Sequence, residues 1–289
     1  MDIRRDRPPD SAEMDAQRHA LVEVLRSPRF ELIPLRDAFE RAEALPAGSA
    51  TTVTASPSHG IEATIDLCEA LTRLGHDATP HLAAHMFRDR AHLADVLDRC
   101  RAIGLRSAFV IGGDAKDRGE LHDGVALLRA MAELGNPFTA VGVAGYPEGH
   151  PAIPDERLTA ALLDKQELAT SVTTQMTFDG DAIAAWIRRI RAAGVTLPVI
   201  VGITGAVKLR RLASVASRIG VGGSLRYLRK NRQLLHLLLH RTYTADRLLR
   251  SLGPSLADPT DDIRGLHVFT FNQVAETVAW HRRLLAELG

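Results

Sequence analysis

The apolar positions of the chain switch repeatedly between two spacings. Short runs that are continuous or alternate with period two, FELIP, TTVTA, ATPHLA, SAFVIGG, FTAVGVAGY, SVTTQMTF, PVIVGI and LHVFTF, read as strands. A helix is predicted from about Ser11 to Leu25, ahead of the first run. Segments of helical spacing, such as IEATIDLCEALTRLG, RAHLADVLDRCRAIG and DAIAAWIRRIRAAG, lie between the runs. The glycine that follows several of them marks the helix stop. Eight strands alternating with helices, with no evident linker, predict an α/β fold of the (β/α)8 TIM-barrel type. Residues 1–289 would form a single barrel domain, with 1–28 as an N-terminal helical extension. A doubly wound open sheet shares this alternation, and periodicity does not separate the two.

Composition adds limits. With 289 residues and 45% hydrophobic content, the chain can bury a large core. Thirty-six basic residues against thirty-five acidic ones leave a formal charge of +1, which gives no global pull toward nucleic acid or an anionic membrane. Cys68 and Cys100 lack the spacing of a zinc site or a disulfide framework and read as packed thiols in a reducing cytoplasm. The opening MDIRRDRPPD has no apolar core behind it, so no signal peptide is expected. No apolar run reaches membrane-spanning length.

A barrel concentrates its chemistry at the C-terminal ends of its strands. The polar residues on the strands or at those ends are Glu31, His81, Asp114, Tyr146, Glu148, His150, Gln175 and Asn272. Glu31 is the most informative, because its neighbours are apolar and the inner face of a small barrel normally is too. A carboxylate there is costly unless paired or protonated, and burial favours the neutral acid, a proton donor. The alternative places Glu31 outward in a salt bridge against a helix. GGDAKDRGE presents Asp114 behind paired glycines that allow close backbone approach to a ligand, although Gly-Gly-Asp is also an ordinary turn. His81 and His85 have i, i+4 spacing but no third ligand in view, so no metal site is expected.

Taken in order, FELIPLR, PHLAA, GGD, AGYPEGHP, TTQMTFD, VGI and FTFN resemble the methylenetetrahydrofolate reductase family, from about Phe30 to the C-terminus. The Tyr-Pro-Glu-Gly-His-Pro stretch, Tyr146 to Pro151, is the most specific piece. The resemblance implies a barrel enzyme that reduces 5,10-methylenetetrahydrofolate to 5-methyltetrahydrofolate with NADH or NADPH, usually through FAD. It places the catalytic acid on Glu31 and a cation-stabilising, pterin-contacting aspartate on Asp114. Gln175 and Phe178 fall on the folate side. His81, Gly113, Tyr146, His150 and Lys165 fall on positions that line the flavin.

The departures from that pattern bear on the cofactor. Gly112 stands where the family has an arginine, Ala55 replaces an aromatic, and Val215 replaces a stacking phenylalanine; aromatic content is only 4%. FAD therefore stays open, and direct hydride transfer from NADH or NADPH to the folate is the expected alternative to a flavin relay.

The most basic segment, Ser224 to Gly253, reads as a barrel helix with leucines on one face and Arg226, Arg229, Lys230 and Arg232 on the other. VGGS before it suits a phosphate-binding turn. An aldolase- or epimerase-like barrel is the competing enzyme class, but no strand-end lysine stands out as a Schiff-base former. A folate- or flavin-binding barrel without turnover is the third reading. Folate is the expected partner, with no nucleic acid and no membrane.

Overall fold

The computed structural model describes residues 10–113, 120–208 and 242–289. Eight parallel strands close into a barrel: β1 (Arg29–Leu32), β2 (Ala50–Val53), β3 (Asp77–Ala83), β4 (Ser107–Ile111), β5 (Ala140–Gly145), β6 (Ser171–Thr174), β7 (Val199–Thr204) and β8 (Ile263–Phe269). Each strand pairs with its sequence neighbours, and β8 returns to β1 in the register His267 to Arg29 and Phe269 to Glu31. The eight apolar runs thus correspond to the eight barrel strands, and closure excludes the open sheet.

The helices form where the apolar spacing and their end residues agree. The N-terminal helix α1 (Ser11–Arg26) opens with a reciprocal cap in which Asp10 and Glu13 each accept from the other's backbone N–H, and it buries Leu21, Val24 and Leu25. After α2 (Ala38–Ala42), α3 (Gly60–Arg73) and α4 (Arg90–Ile103) follow their strands. Gly104 stops α4 at φ +84°, a left-handed conformation that glycine adopts without a Cβ penalty. Aspartates 89, 123 and 179 cap α4, α5 (Gly124–Glu133) and α7 (Gly180–Ala192), while Pro154 precedes α6 (Asp155–Lys165). The last helices are α8 (Asp246–Ser251), α9 (Gly253–Ala257) and α10 (Val274–Leu288). No described helix is long and apolar enough to cross a membrane.

One feature was not expected. Val207–Lys208 and Thr242–Tyr243 form a two-stranded antiparallel ribbon outside the barrel. In the basic segment, only the part from Thr242 onward is described, and it contains this ribbon strand and α8. Its earlier part, VGGS and Val215 lie outside the described residues, as does Asp114.

The barrel interior depends on absent side chains as well as present ones. A Cβ at Gly142 would meet Phe109 Cδ2 at 2.9 Å, and one at Gly202 would meet the Thr174 carbonyl oxygen at 2.1 Å and Phe269 Cε2 at 2.9 Å. Glycine at these points of β5 and β7 lets two aromatic rings lie inside a small barrel.

Candidate active site

Glu31 is buried at 6% exposure, and its carboxylate meets groups from two other strands. His267 Nε2 of β8 lies 3.0 Å from Glu31 Oε2, a hydrogen bond, and His81 Nε2 of β3 lies 3.9 Å from the same oxygen. Since β3 does not pair with β1, the approach to His81 crosses the barrel interior, so Glu31 points inward rather than toward a helix. The ring centroids of Phe109 and His81 are 4.7 Å apart and those of Phe269 and His267 4.6 Å, which surrounds the charge-bearing groups with aromatic surface. Burial, and next the proximity of the His267 ring, push the His81 imidazole well below the ordinary histidine range, so it is neutral at pH 7. Its Nε2 has no hydrogen-bond partner among the described residues.

The end of β8 fixes the height of Glu31 in the barrel. The Thr270 hydroxyl donates to the Glu31 carbonyl oxygen at 2.5 Å. Two residues on, the Asn272 amide accepts from Ile33 N–H at 2.8 Å and donates to the Ile33 carbonyl at 2.9 Å. Phe271 and Asn272 adopt φ of +50° and +58°, which turns the amide back onto β1. Asn272, a strand-end candidate from the sequence, is therefore a brace for the acid.

A second group lies at the C-terminal end of β5. Tyr146 and His150 pack edge to face with centroids 5.1 Å apart. Gly149 makes the intervening turn at φ +80°, and its N–H donates to the Tyr146 carbonyl at 3.1 Å. Tyr146 and Lys165 line one cavity of about 40 Å³. Burial pushes the Lys165 ammonium down, opposed by the charges of Asp123 and Asp164. Gln175 and Phe178 follow β6: the Gln175 side-chain oxygen accepts from Met176 N–H at 2.8 Å, and Phe178 packs edge to face with Tyr243 at 5.0 Å. Gly113 at the exit of β4 has φ +89°, and a Cβ there would meet Ala83 Cβ at 3.0 Å, so this position requires glycine.

His267 is the residue that sequence reasoning missed. It shares the inward face of its strand with Phe269, but nothing local in LHVFTF distinguishes it, and its partner lies 236 positions away. His85, grouped with His81 by spacing, instead places its Nε2 2.7 Å from the His122 carbonyl oxygen. Glu31, His81 and His267 present three ligand atoms within 4.8 Å of one another, a donor set chemically able to take a divalent ion. Here Glu31 and His267 are engaged with each other.

Fold and site together define a (β/α)8 barrel with a buried carboxylic acid and its histidine partner inside it. The family model for methylenetetrahydrofolate reductase matches residues 28–225, and the chain belongs to this family. It is 28% identical over 152 residues to a Caenorhabditis elegans protein described as a methylenetetrahydrofolate reductase (NADPH), covering 49% of this chain and 23% of that protein. Methylenetetrahydrofolate reductase 1 of Schizosaccharomyces pombe is 31% identical over 118 residues, 37% of this chain and 19% of the relative. Methylenetetrahydrofolate reductase 2 of Saccharomyces cerevisiae is 43% identical over 89 residues, 28% and 14% respectively. The matched stretches take in less than a quarter of each relative's length. Among solved structures, a Burkholderia cenocepacia J2315 protein described as a lyase/mutase shares the fold with a TM-score of 0.50 at 14% identity, covering 96% of this chain and 90% of that one.

Proposed function

We propose that this protein reduces 5,10-methylenetetrahydrofolate to 5-methyltetrahydrofolate with NADH or NADPH, by direct hydride transfer between the two bound substrates. The observation that carries this reading is the buried, histidine-paired Glu31 inside a barrel of this family. Glu31 in its acid form protonates the bridging nitrogen of the folate's five-membered ring. The carbon–nitrogen bond opens, leaving an iminium whose methylene carbon accepts hydride from the nicotinamide. The ring nitrogen keeps the proton, the methylene becomes a methyl group, and the nicotinamide leaves oxidised. Asp114 is assigned the stabilisation of the cation, with Gln175 and Phe178 on the pterin side.

Among the described residues, two positions depart from the family's flavin pattern. Gly112 leaves open space, with no atom within 4 Å of a Cβ built there, where the family pattern has a cation. Ala55 likewise offers no ring to stack on a flavin. Tyr146 and His150 then face the nicotinamide or pterin. Their presence together with Lys165 is also what favours the second reading, an FAD-relayed reductase.

The visible spectrum of the purified protein and its oxidation of NADH with methylenetetrahydrofolate, with and without added FAD, test the proposal. Activity in a colourless, unsupplemented sample with sequential kinetics supports direct transfer. Turnover only with stoichiometric flavin replaces it with the relay, and none under any condition overturns the reductase reading.

A further inference from the structure

The reaction proposed above consumes one proton per turnover, and Glu31 must recover it. Its carboxylate lies inside the barrel, and on the reading above folate and nicotinamide reach it from the C-terminal ends of the strands. On that reading the two substrates together cover the C-terminal mouth. A proton that reaches Glu31 in that state has to come from below.

The structure contains a route from that side. A cavity of about 20 Å³ lies inside the barrel toward the N-terminal ends of the strands, where Arg29, Ser107, Ala140 and Ser171 begin β1, β4, β5 and β6. That is room for one water molecule. Much of its wall is hydroxyl-bearing, including Thr52, Thr79, Ser107, Ser171 and Thr173. Thr52 is 2% exposed, and its Oγ1 has no hydrogen-bond partner among the described residues. A buried hydroxyl in that condition is costly unless water satisfies it. Thr52 is also the register partner of Glu31 on the neighbouring strand. His267 belongs to both places: it lines the cavity, and its Nε2 is bonded to Glu31 Oε2 at 3.0 Å.

From this arrangement we infer that His267 and a water held by Thr52 form a proton relay that charges Glu31 from the N-terminal side of the barrel while both substrates occupy the mouth. His267 Nδ1 takes a proton from the cavity water as Nε2–H passes its own to Glu31 Oε2, and the water regains a proton from solvent. After Glu31 has protonated the folate and product has left, exchange with water at the two ring nitrogens restores the starting tautomer. His267 acts through Glu31 and is a positioning and relay residue. The relay rests on the reductase reading above.

Thr52→Val and His267→Asn test it. Thr52→Val keeps the shape of the side chain and breaks no hydrogen bond to the described protein, so the melting temperature should hold. The relay predicts that kcat falls about tenfold or more while KM for folate stays within about twofold. Proton delivery then limits turnover: the solvent deuterium isotope effect on kcat grows, and the effect of deuterium at the transferred nicotinamide position shrinks. His267→Asn should behave in the same way, and Thr52→Val carries the test alone if that variant does not fold. Wild-type kcat in Thr52→Val, a change mainly in KM, or a nicotinamide isotope effect that is unchanged or larger would overturn the relay while leaving the reductase intact. A wild-type protein that forms no 5-methyltetrahydrofolate would overturn the reductase reading, and the relay with it.

Discussion

Asn272 grips Ile33 at both backbone groups, two residues beyond Glu31, and so ties the end of the last barrel strand to the end of the first. Asn272→Ala removes both bonds and places alanine at a φ of +58°. Leaving the Ile33 groups without these partners costs about 1–3 kcal/mol, with about 1–2 kcal/mol more for the left-handed backbone. A urea melt should show this loss, and the surviving fold should lose kcat more than folate affinity because Glu31 is no longer held in place.

Glu31→Gln keeps the size of the side chain and removes its acidic proton. Reduction should fall at least about 100-fold, with folate affinity by calorimetry within a few fold of wild type. A variant that retains activity would remove Glu31 from the role of acid.

Burial lowers the His81 pKa relative to the unfolded chain. Below the unfolded value of about 6.5, the unfolded state therefore binds more protons than the folded one, and stability falls as pH drops. His76 is lowered by burial as well and acts in the same direction. The comparison of wild type with His81→Gln isolates one contribution: between about pH 6.5 and 5 the variant should lose less stability per pH unit, by up to about 1.4 kcal/mol. Equal slopes in chemical denaturation would refute it.

Gly145 ends β5 directly before Tyr146, and a Cβ there would lie 2.6 Å from the Trp186 ring and 2.9 Å from Val172 Cγ2. Gly145→Ala should destabilise the protein by about 1–3 kcal/mol. Trp186 fluorescence should shift as the ring is displaced, a change absent from the control Gly48→Ala, which meets no neighbour although its own φ of +70° disfavours alanine.

Cys68 and Cys100 are fully buried, and burial pushes Cys100 up to about 12 and Cys68 well above its ordinary value. Neither thiol should react with a disulfide reagent at pH 8 until the protein unfolds, when two equivalents per chain should appear.

Periodicity made the barrel legible because inward and outward faces alternate along a strand and one face must be buried. Strand ends were less clear. FELIP continues its apolar character past Leu32, yet the strand stops there, and β8 begins at Ile263, ahead of the apolar run. Glu31 was legible because a carboxylate among Phe30, Leu32 and Ile33 demands a partner. Its partner was not, since His267 is paired by barrel closure rather than by spacing. The ribbon between Val207 and Tyr243 escaped for the same reason: each strand is two residues long and is defined by the other.

The pairing of β1 with β8 also sets when the protein can work. Glu31 is among the first barrel residues to leave the ribosome, whereas Thr270, Asn272 and His267, which orient it, are among the last. A nascent or partly folded chain therefore carries its acid without the seam that aims it. Onset of activity during refolding would report formation of that seam, separating a closed barrel from a compact one that has all its helices but not yet its final strand.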